Sequence, residues 1–212
     1  MNTAENGRIK RYHTERIRKW GITDPRSVGY TSEDSQLARF AVIADLYDGR
    51  SSLLDIGCGT GDLLGYLRER YDCFDYVGID QQPEFIGHAR AKYHGERCTF
   101  VMGDFSRCAL PMSDFVVASG ALSYRTEDAN FHLECIKRLF AAARKSVIFN
   151  MLDASKMFSG EVIVGHDLAA VTAYCRTLAL DVSLIADYLP FDFTLMLIKT
   201  NIGRQMSSAA AS

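Results

Sequence analysis

The stretch Leu53-Leu54-Asp55-Ile56-Gly57-Cys58-Gly59-Thr60-Gly61-Asp62 constrains the fold more than any other part of the chain. An apolar strand runs without a break into a Gly-x-Gly-x-Gly turn, and a helical stretch over 61–70 follows. Glycines in such a turn let the backbone bend tightly and let a ligand approach where a Cβ would block it. The next apolar run, 76–79, leads into Asp80, 25 positions after Asp55. A carboxylate at the end of that strand can accept both ribose hydroxyl hydrogens of a bound nucleoside. On the plainer reading the loop is only a turn and Asp80 only the N-cap of the helix entered at Pro83. The order strand, loop, helix, strand, acid favours a binding site. A nicotinamide dinucleotide site is built from the same parts, but its loop usually reads GxGxxG, with a helix N-terminus facing a pyrophosphate. The GxGxG spacing behind Asp55 suits a ligand without phosphate better.

Further along, the pattern alternates. Short apolar runs suited to buried parallel strands occur at 52–56, 76–79, 99–102, 115–119 and 146–151, with helical stretches at 61–70, 83–93 and 128–143 between them. This rhythm predicts an α/β fold, a doubly wound parallel sheet with right-handed crossovers. A mixed stretch, 152–165, precedes a helix near 167–180. The last two β-rich runs, 182–188 and 193–199, are joined by Leu189-Pro190-Phe191-Asp192, too short for a parallel crossover, and predict an antiparallel hairpin. Gly21, Asp24-Pro25 and Gly29 punctuate residues 1–32 into a helix and a loop, an extension or lid ahead of one domain over 33–200. The tail, 201–212, is expected to be disordered.

The length of 212 residues suits one core, and no apolar run approaches the roughly 20 residues that span a bilayer. A net charge of −2 gives no general attraction to phosphate polymers, so nucleic acid is not expected as a partner, nor is a membrane. The basic run Arg8, Lys10, Arg11, Arg16, Arg18 and Lys19 is broken by Glu15 and interleaved with Ile9, Tyr12, Ile17 and Trp20. That pattern reads as an amphipathic surface helix rather than a nucleic-acid arm. Six cysteines, at 58, 73, 98, 108, 135 and 175, contain no CxxC pair and read as free thiols of a cytoplasmic protein. His88 and His94 are poorly spaced for one helix face, and no metal site is indicated.

On these motifs the sequence resembles the class I S-adenosylmethionine-dependent methyltransferases over roughly residues 33–199. Asp55 to Gly61 looks like that family's first motif and Val77-Gly78-Ile79-Asp80 like its second. Gly103-Asp104-Phe105 resembles the element that reads adenine, and 115–120 the fourth strand, which ends beside the transferred methyl. The resemblance implies a seven-stranded sheet ordered 3-2-1-4-5-7-6 with strand 7 antiparallel, and S-adenosyl-L-methionine as cofactor. It implies Gly57, Gly59 and Gly61 around the methionine moiety, Asp80 on the ribose, Asp104 with Phe105 at the adenine, and Ser119 and Gly120 near the amino acid part or the methyl, with Asp55, Cys58 and Gln81 also among the cofactor-binding residues. Gly29-Tyr30, Gln36-x-x-Arg39-Phe40 and the run from Asp187 to Thr194 are similar to small bacterial methyltransferases of unassigned substrate.

Displacement at a sulfonium methyl needs positioning and exclusion of water more than a fixed catalytic residue. Arg39 could reach the cofactor carboxylate, its alternative being a surface ion pair. Tyr124, Asn150, His166, Tyr188 and Asp192 are polar residues expected near the carboxyl edge of the sheet, where a small-molecule acceptor would bind, and Tyr30 of the extension, with Tyr12 and Trp20, is expected to cover it as part of a lid. Each has a plainer role: His166 as a helix cap, Tyr124 as packing, Asp192 as a turn residue. Cys58 is expected to serve the turn rather than as a nucleophile. A noncatalytic binder of the same cofactor, a nicotinamide oxidoreductase and a chemistry on a carboxylated cofactor remain as alternatives, the last needing cationic residues that face the transferred group.

Overall fold

Seven strands form one sheet: β1 (Leu53–Ile56), β2 (Tyr76–Asp80), β3 (Cys98–Met102), β4 (Ser113–Ala118), β5 (Ala143–Leu152), β6 (Asp181–Ala186) and β7 (Asp192–Ile198). The computed structural model describes residues 1–94, 97–157 and 159–199, so the expected tail lies outside the described residues. The spatial order is β3-β2-β1-β4-β5-β7-β6. β1 pairs in parallel with both β2 and β4, whereas β7 runs antiparallel to β5 and β6. The doubly wound sheet and its closing hairpin are thus both as the sequence predicts. Between β1 and β4 the winding reverses, which opens a crevice above their carboxyl ends.

Helices α2 (Glu33–Leu46), α3 (Asp62–Arg68) and α4 (Pro83–Lys92) cover one face, and α5 (Phe131–Ala142) and α6 (Leu168–Leu178) the other. Strand residues alternate between the two layers. In β4, Phe115 and Val117 pack toward α2 and α3, while Val116 and Ala118 pack toward α5 and α6. Burial on both faces is why these strands read as unbroken apolar runs. No helix among the described residues is long and apolar enough to cross a membrane.

Several boundaries differ from the sequence reading. β5 begins at Ala143, where a helix was expected to end, because Ser113 pairs with Ala143 and carries the sheet past the apolar run. Arg144 and Lys145 in this extension are exposed, so hydropathy does not mark them as strand. α5 starts at Phe131 rather than near 128, since the Asn130 N–H donates to Asp128 Oδ1 and holds the chain in a turn. The mixed stretch is tied down by bridges from Ile163 to Tyr124 and from His166 to Asp153.

The N-terminal helix α1 (Thr3–Trp20) starts in a capping box: Glu5 N–H donates to Asn2 Oδ1, and Asn2 N–H donates to Glu5 Oε2. The second Glu5 oxygen accepts the Glu127 N–H at 2.6 Å, so one carboxylate caps the helix and pins it to the loop after β4. The apolar stripe expected on this helix needs correction. Only Ile9 of that set is buried, and the inward face is Glu5, Ile9 and His13. Tyr12, Ile17 and Trp20 are half-buried.

Leu139, fully buried on α5, fills the layer opposite the glycine loop. Leu139→Ala is expected to lower unfolding stability by about 2–5 kcal/mol while keeping a cooperative transition, checked by denaturant melts. A loss below 1 kcal/mol would contradict the packing described.

Candidate functional site

β1 stops at Ile56 because the backbone turns through left-handed conformations at Gly57 (φ 69°), Gly59 (φ 53°) and Gly61 (φ 80°). A Cβ on Gly57 would lie 2.7 Å from the Ala121 Cβ, and one on Gly59 2.9 Å from Val28. The loop is held from the neighbouring strand. Gly57 N–H donates to the Ile79 carbonyl at 2.8 Å, and Gly59 N–H to Asp80 Oδ2 at 3.0 Å. Asp80 Oδ1 takes the Gln82 N–H at 2.8 Å. Gln82 is the N-cap of α4, without a side-chain cap, so Asp80 braces the loop and the helix entrance rather than acting as the cap itself. Burial pushes the Asp80 carboxyl up, opposed by these amide donors and by nearby His13.

Three adjoining clefts surround the loop. The first, about 700 Å³ with its open mouth, lies between the glycine turn and α1 and is lined by Gly57, Gly59, Asp80, Gln81, Phe105 and His13, among others. Gln81 Oε1 is buried without a hydrogen-bond partner among the described residues. Ser119 and Gly120, at the end of β4, line this cleft and also a second one of about 430 Å³. The third, about 320 Å³, lies under the turn and is lined by Asp55, Cys58, Thr60 and Gln36. Asp55 accepts the Tyr76 hydroxyl at 2.6 Å, and burial lifts its carboxyl to about 7. Burial also holds the Cys58 thiol well above its ordinary range.

Asp104, just after β3, is engaged on both oxygens by protein donors. Its Oδ1 is taken by Ser106 and its Oδ2 by Asn6 Nδ2 of α1 at 3.0 Å, while the adjacent Phe105 ring faces the first cleft. Arg39 is in an ion pair, but a buried one rather than the surface pair weighed from sequence. It lines the second cleft, with Nε on Asp192 Oδ1 at 2.5 Å in an ion pair nearly closed to solvent. Asp192 is accordingly no turn residue: it opens β7, buried, and also accepts from Asn150 Nδ2 at 3.1 Å. Asn150 in turn accepts the Gly120 N–H at 2.7 Å.

Tyr30, Tyr124 and Asn150 line the second cleft as expected from sequence, and Tyr30 bonds Ser119 Oγ at 2.9 Å. Tyr188 bonds Thr194 Oγ1. His166 is set apart: Nε2 faces the Leu122 carbonyl, its ring packs on His132, and the cap of α6 is Asp167. His13 and Asn6 went unread in the sequence. Their trace there is the Glu5-Ile9-His13 spacing, polar residues placed where a helix buries its inner face.

Residues 53–143 match the model of a family described as "Methyltransferase domain". A Mycobacterium tuberculosis protein with a provisional methyltransferase designation is 34% identical over 163 residues, spanning 71% of this chain and 94% of that one. The chain belongs to the class I S-adenosylmethionine-dependent methyltransferases. Solved structures agree on the fold of this methyltransferase. Magnesium protoporphyrin IX methyltransferase from Synechocystis PCC 6803 superposes with a TM-score of 0.68 at 16% identity, covering 92% of this chain and 99% of that one. DhpI gives a TM-score of 0.68 at 16% identity, covering 95% and 100%.

A testable pH dependence follows for the methyltransferase from Asp55. The folded chain keeps this proton up to about 7, whereas the unfolded chain releases it near 3.8, so the group makes stability fall as pH rises between those values. Asp55→Asn keeps an acceptor for Tyr76 and removes the titration. Urea melts at pH 5 and pH 8 are expected to show the variant gaining on the wild type at the higher pH; identical pH dependence would contradict the assignment.

Proposed function

We propose that this methyltransferase carries the methyl group of S-adenosylmethionine to a small-molecule acceptor seated in the second cleft. The observation that carries the reading is the shared wall: Val28, Ser119, Gly120 and Tyr124 border both the first and the second cleft. A group bound along the glycine loop and one bound beside Arg39 would therefore meet across that wall. The cofactor supplies an electrophilic sulfonium methyl with a neutral thioether as leaving group.

The residues fit such a cofactor. Gly57 and Gly59 line the clefts on both sides of the turn and give the methionine moiety bare backbone to lie against, while Gly61 lets the turn close on the Tyr93 and Phe100 rings. Asp80 is the ribose acceptor, and the unpartnered Gln81 Oε1 beside it supplies a further acceptor for hydroxyl hydrogens. Phe105 packs on the adenine, with Asp104 holding Asn6 and hence α1 over it. Residues 1–32 then serve as the lid that keeps water out. The acceptor side is rich in donors. The Arg39 guanidinium stands 5.0 Å from the centre of the Tyr30 ring and its terminal nitrogens make no hydrogen bond among the described residues, where Ser123 Oγ on the same cleft is also buried unpartnered. This composition favours a small acceptor bearing a carboxylate or phosphate, and a cleft of about 430 Å³ suits a metabolite rather than a polymer.

Calorimetric titration tests the reading. S-Adenosylhomocysteine is expected to bind and NAD not, with Asp80→Ala weakening the former roughly ten- to hundredfold, about 1.5–3 kcal/mol for a charge-assisted bond, and Asp80→Asn falling between. Equal affinity in all three proteins would remove Asp80 from the site, and binding of NAD in place of S-adenosylhomocysteine would overturn the function.

A further inference from the structure

We propose that Tyr124 and His13 form a relay that takes the proton from a hydroxyl acceptor as its oxygen is methylated, an inference that rests on the methyl-transfer reading above. The starting point is the hydrogen bonding of His13, which is buried at the centre of the inner face of α1. Its Nδ1 lies 2.9 Å from the Ser27 carbonyl oxygen, and a carbonyl can only accept, so Nδ1 carries the proton. In the neutral ring Nε2 then presents a lone pair, and the Tyr124 hydroxyl, 2.7 Å away, donates to it. The Tyr124 oxygen keeps lone pairs of its own, and no second partner for it exists among the described residues. Tyr124 lines both the first and the second cleft and so belongs to the wall between cofactor and acceptor.

The surroundings suit proton acceptance. Burial lowers the basicity of His13 and keeps it neutral at rest, while the carboxylate of Asp80 on β2 favours the charged ring once a proton arrives. Arg16 of α1 opposes that charge, and the rings of Tyr12, Phe85 and Tyr124 pack edge-on around the imidazole. Tyr12, Tyr30, Asp80 and Arg16 are the ionisable groups that act on Tyr124, and burial holds its phenol protonated. Tyr124 therefore does not work as a standing tyrosinate. In the step, the acceptor oxygen forms a bond to the methyl carbon as the carbon–sulfur bond breaks, leaving the electron pair on sulfur. The acceptor proton passes to the Tyr124 oxygen, and the Tyr124 proton passes to His13 Nε2. Tyr124 ends protonated as it began, and the imidazolium returns its proton to solvent. Such a relay is needed by an alcohol or phenol group and not by an oxygen already ionised, which defines the methylated group as an un-ionised hydroxyl, whatever anionic group the same molecule places beside Arg39. Tyr124 is the catalytic residue in this account, and His13 acts through it.

The test uses the full chain in three measurements. Nitrogen-15 histidine spectra of the wild type are expected to show His13 as the neutral tautomer protonated at Nδ1. Transfer of a tritiated methyl group from S-adenosylmethionine into a filtered metabolite extract is expected to fall about a hundredfold or more in Tyr124→Phe and His13→Gln near pH 7. The residual rate of both variants should climb with pH, as the acceptor comes to ionise unaided. Titration with S-adenosylhomocysteine should give wild-type affinity for Tyr124→Phe, separating the relay from docking of α1. Wild-type transfer by Tyr124→Phe, an equal loss at every pH, or a His13 ring protonated at Nε2 would overturn the relay while leaving methyl transfer standing. A wild-type protein that binds S-adenosylhomocysteine but labels nothing in the extract would overturn the small-molecule reading and the relay with it.

Discussion

The carboxylate of Asp80 is the constraint on which the site depends. It receives the Gly59 N–H from the loop after β1 and the Gln82 N–H at the start of α4, and so ties two crossovers of the sheet at one point. A buried carboxylate is costly unless its lone pairs are used, and here amide donors and the nearby His13 oppose the burial. The glycines follow from the same geometry. Only a chain able to pass through left-handed conformations can leave β1, reach the Asp80 oxygen and still clear Ala121 and Val28.

A second set of polar contacts closes the site from above. Glu5, Asn6, His13 and Thr14 of α1 meet the Glu127 amide, Asp104, Tyr124 and Gln82 respectively, so the helix touches the ends of three separate crossovers. Such a face is held by directional bonds more than by apolar area, with Ile9 the chief hydrophobic anchor. Helices docked in this way open at lower free energy than core elements, which is compatible with the lid proposed for residues 1–32.

Much of the fold was legible because the central parallel strands β1, β4 and β5 are buried on both faces and the turn after β1 is built on glycines. The hairpin of β6 and β7 followed from a connection too short to cross over. What sequence did not disclose were long-range polar pairings. Arg39 and Asp192 lie 153 positions apart and meet only because α2 packs beside β5, which carries β7 as its neighbour. Read singly, the arginine suggested a cofactor contact and the aspartate a turn. His13 escaped for a related reason: its helix looked like a basic surface helix with an apolar stripe, whereas the buried stripe is largely polar. The ends of β4 and β5 were misjudged where exposed Arg144 and Lys145 extend the ladder beyond the apolar run.

These elements combine into one claim, that an adenosyl ligand is held between the glycine loop and α1. Hydrogen–deuterium exchange of the full chain, with and without S-adenosylhomocysteine, tests it most directly because it reads both sides of the cleft at once. The account predicts slowed exchange at residues 57–62 together with residues 3–20, as the ligand bridges loop and helix. Protection of the loop with α1 unchanged, or of neither, would contradict it.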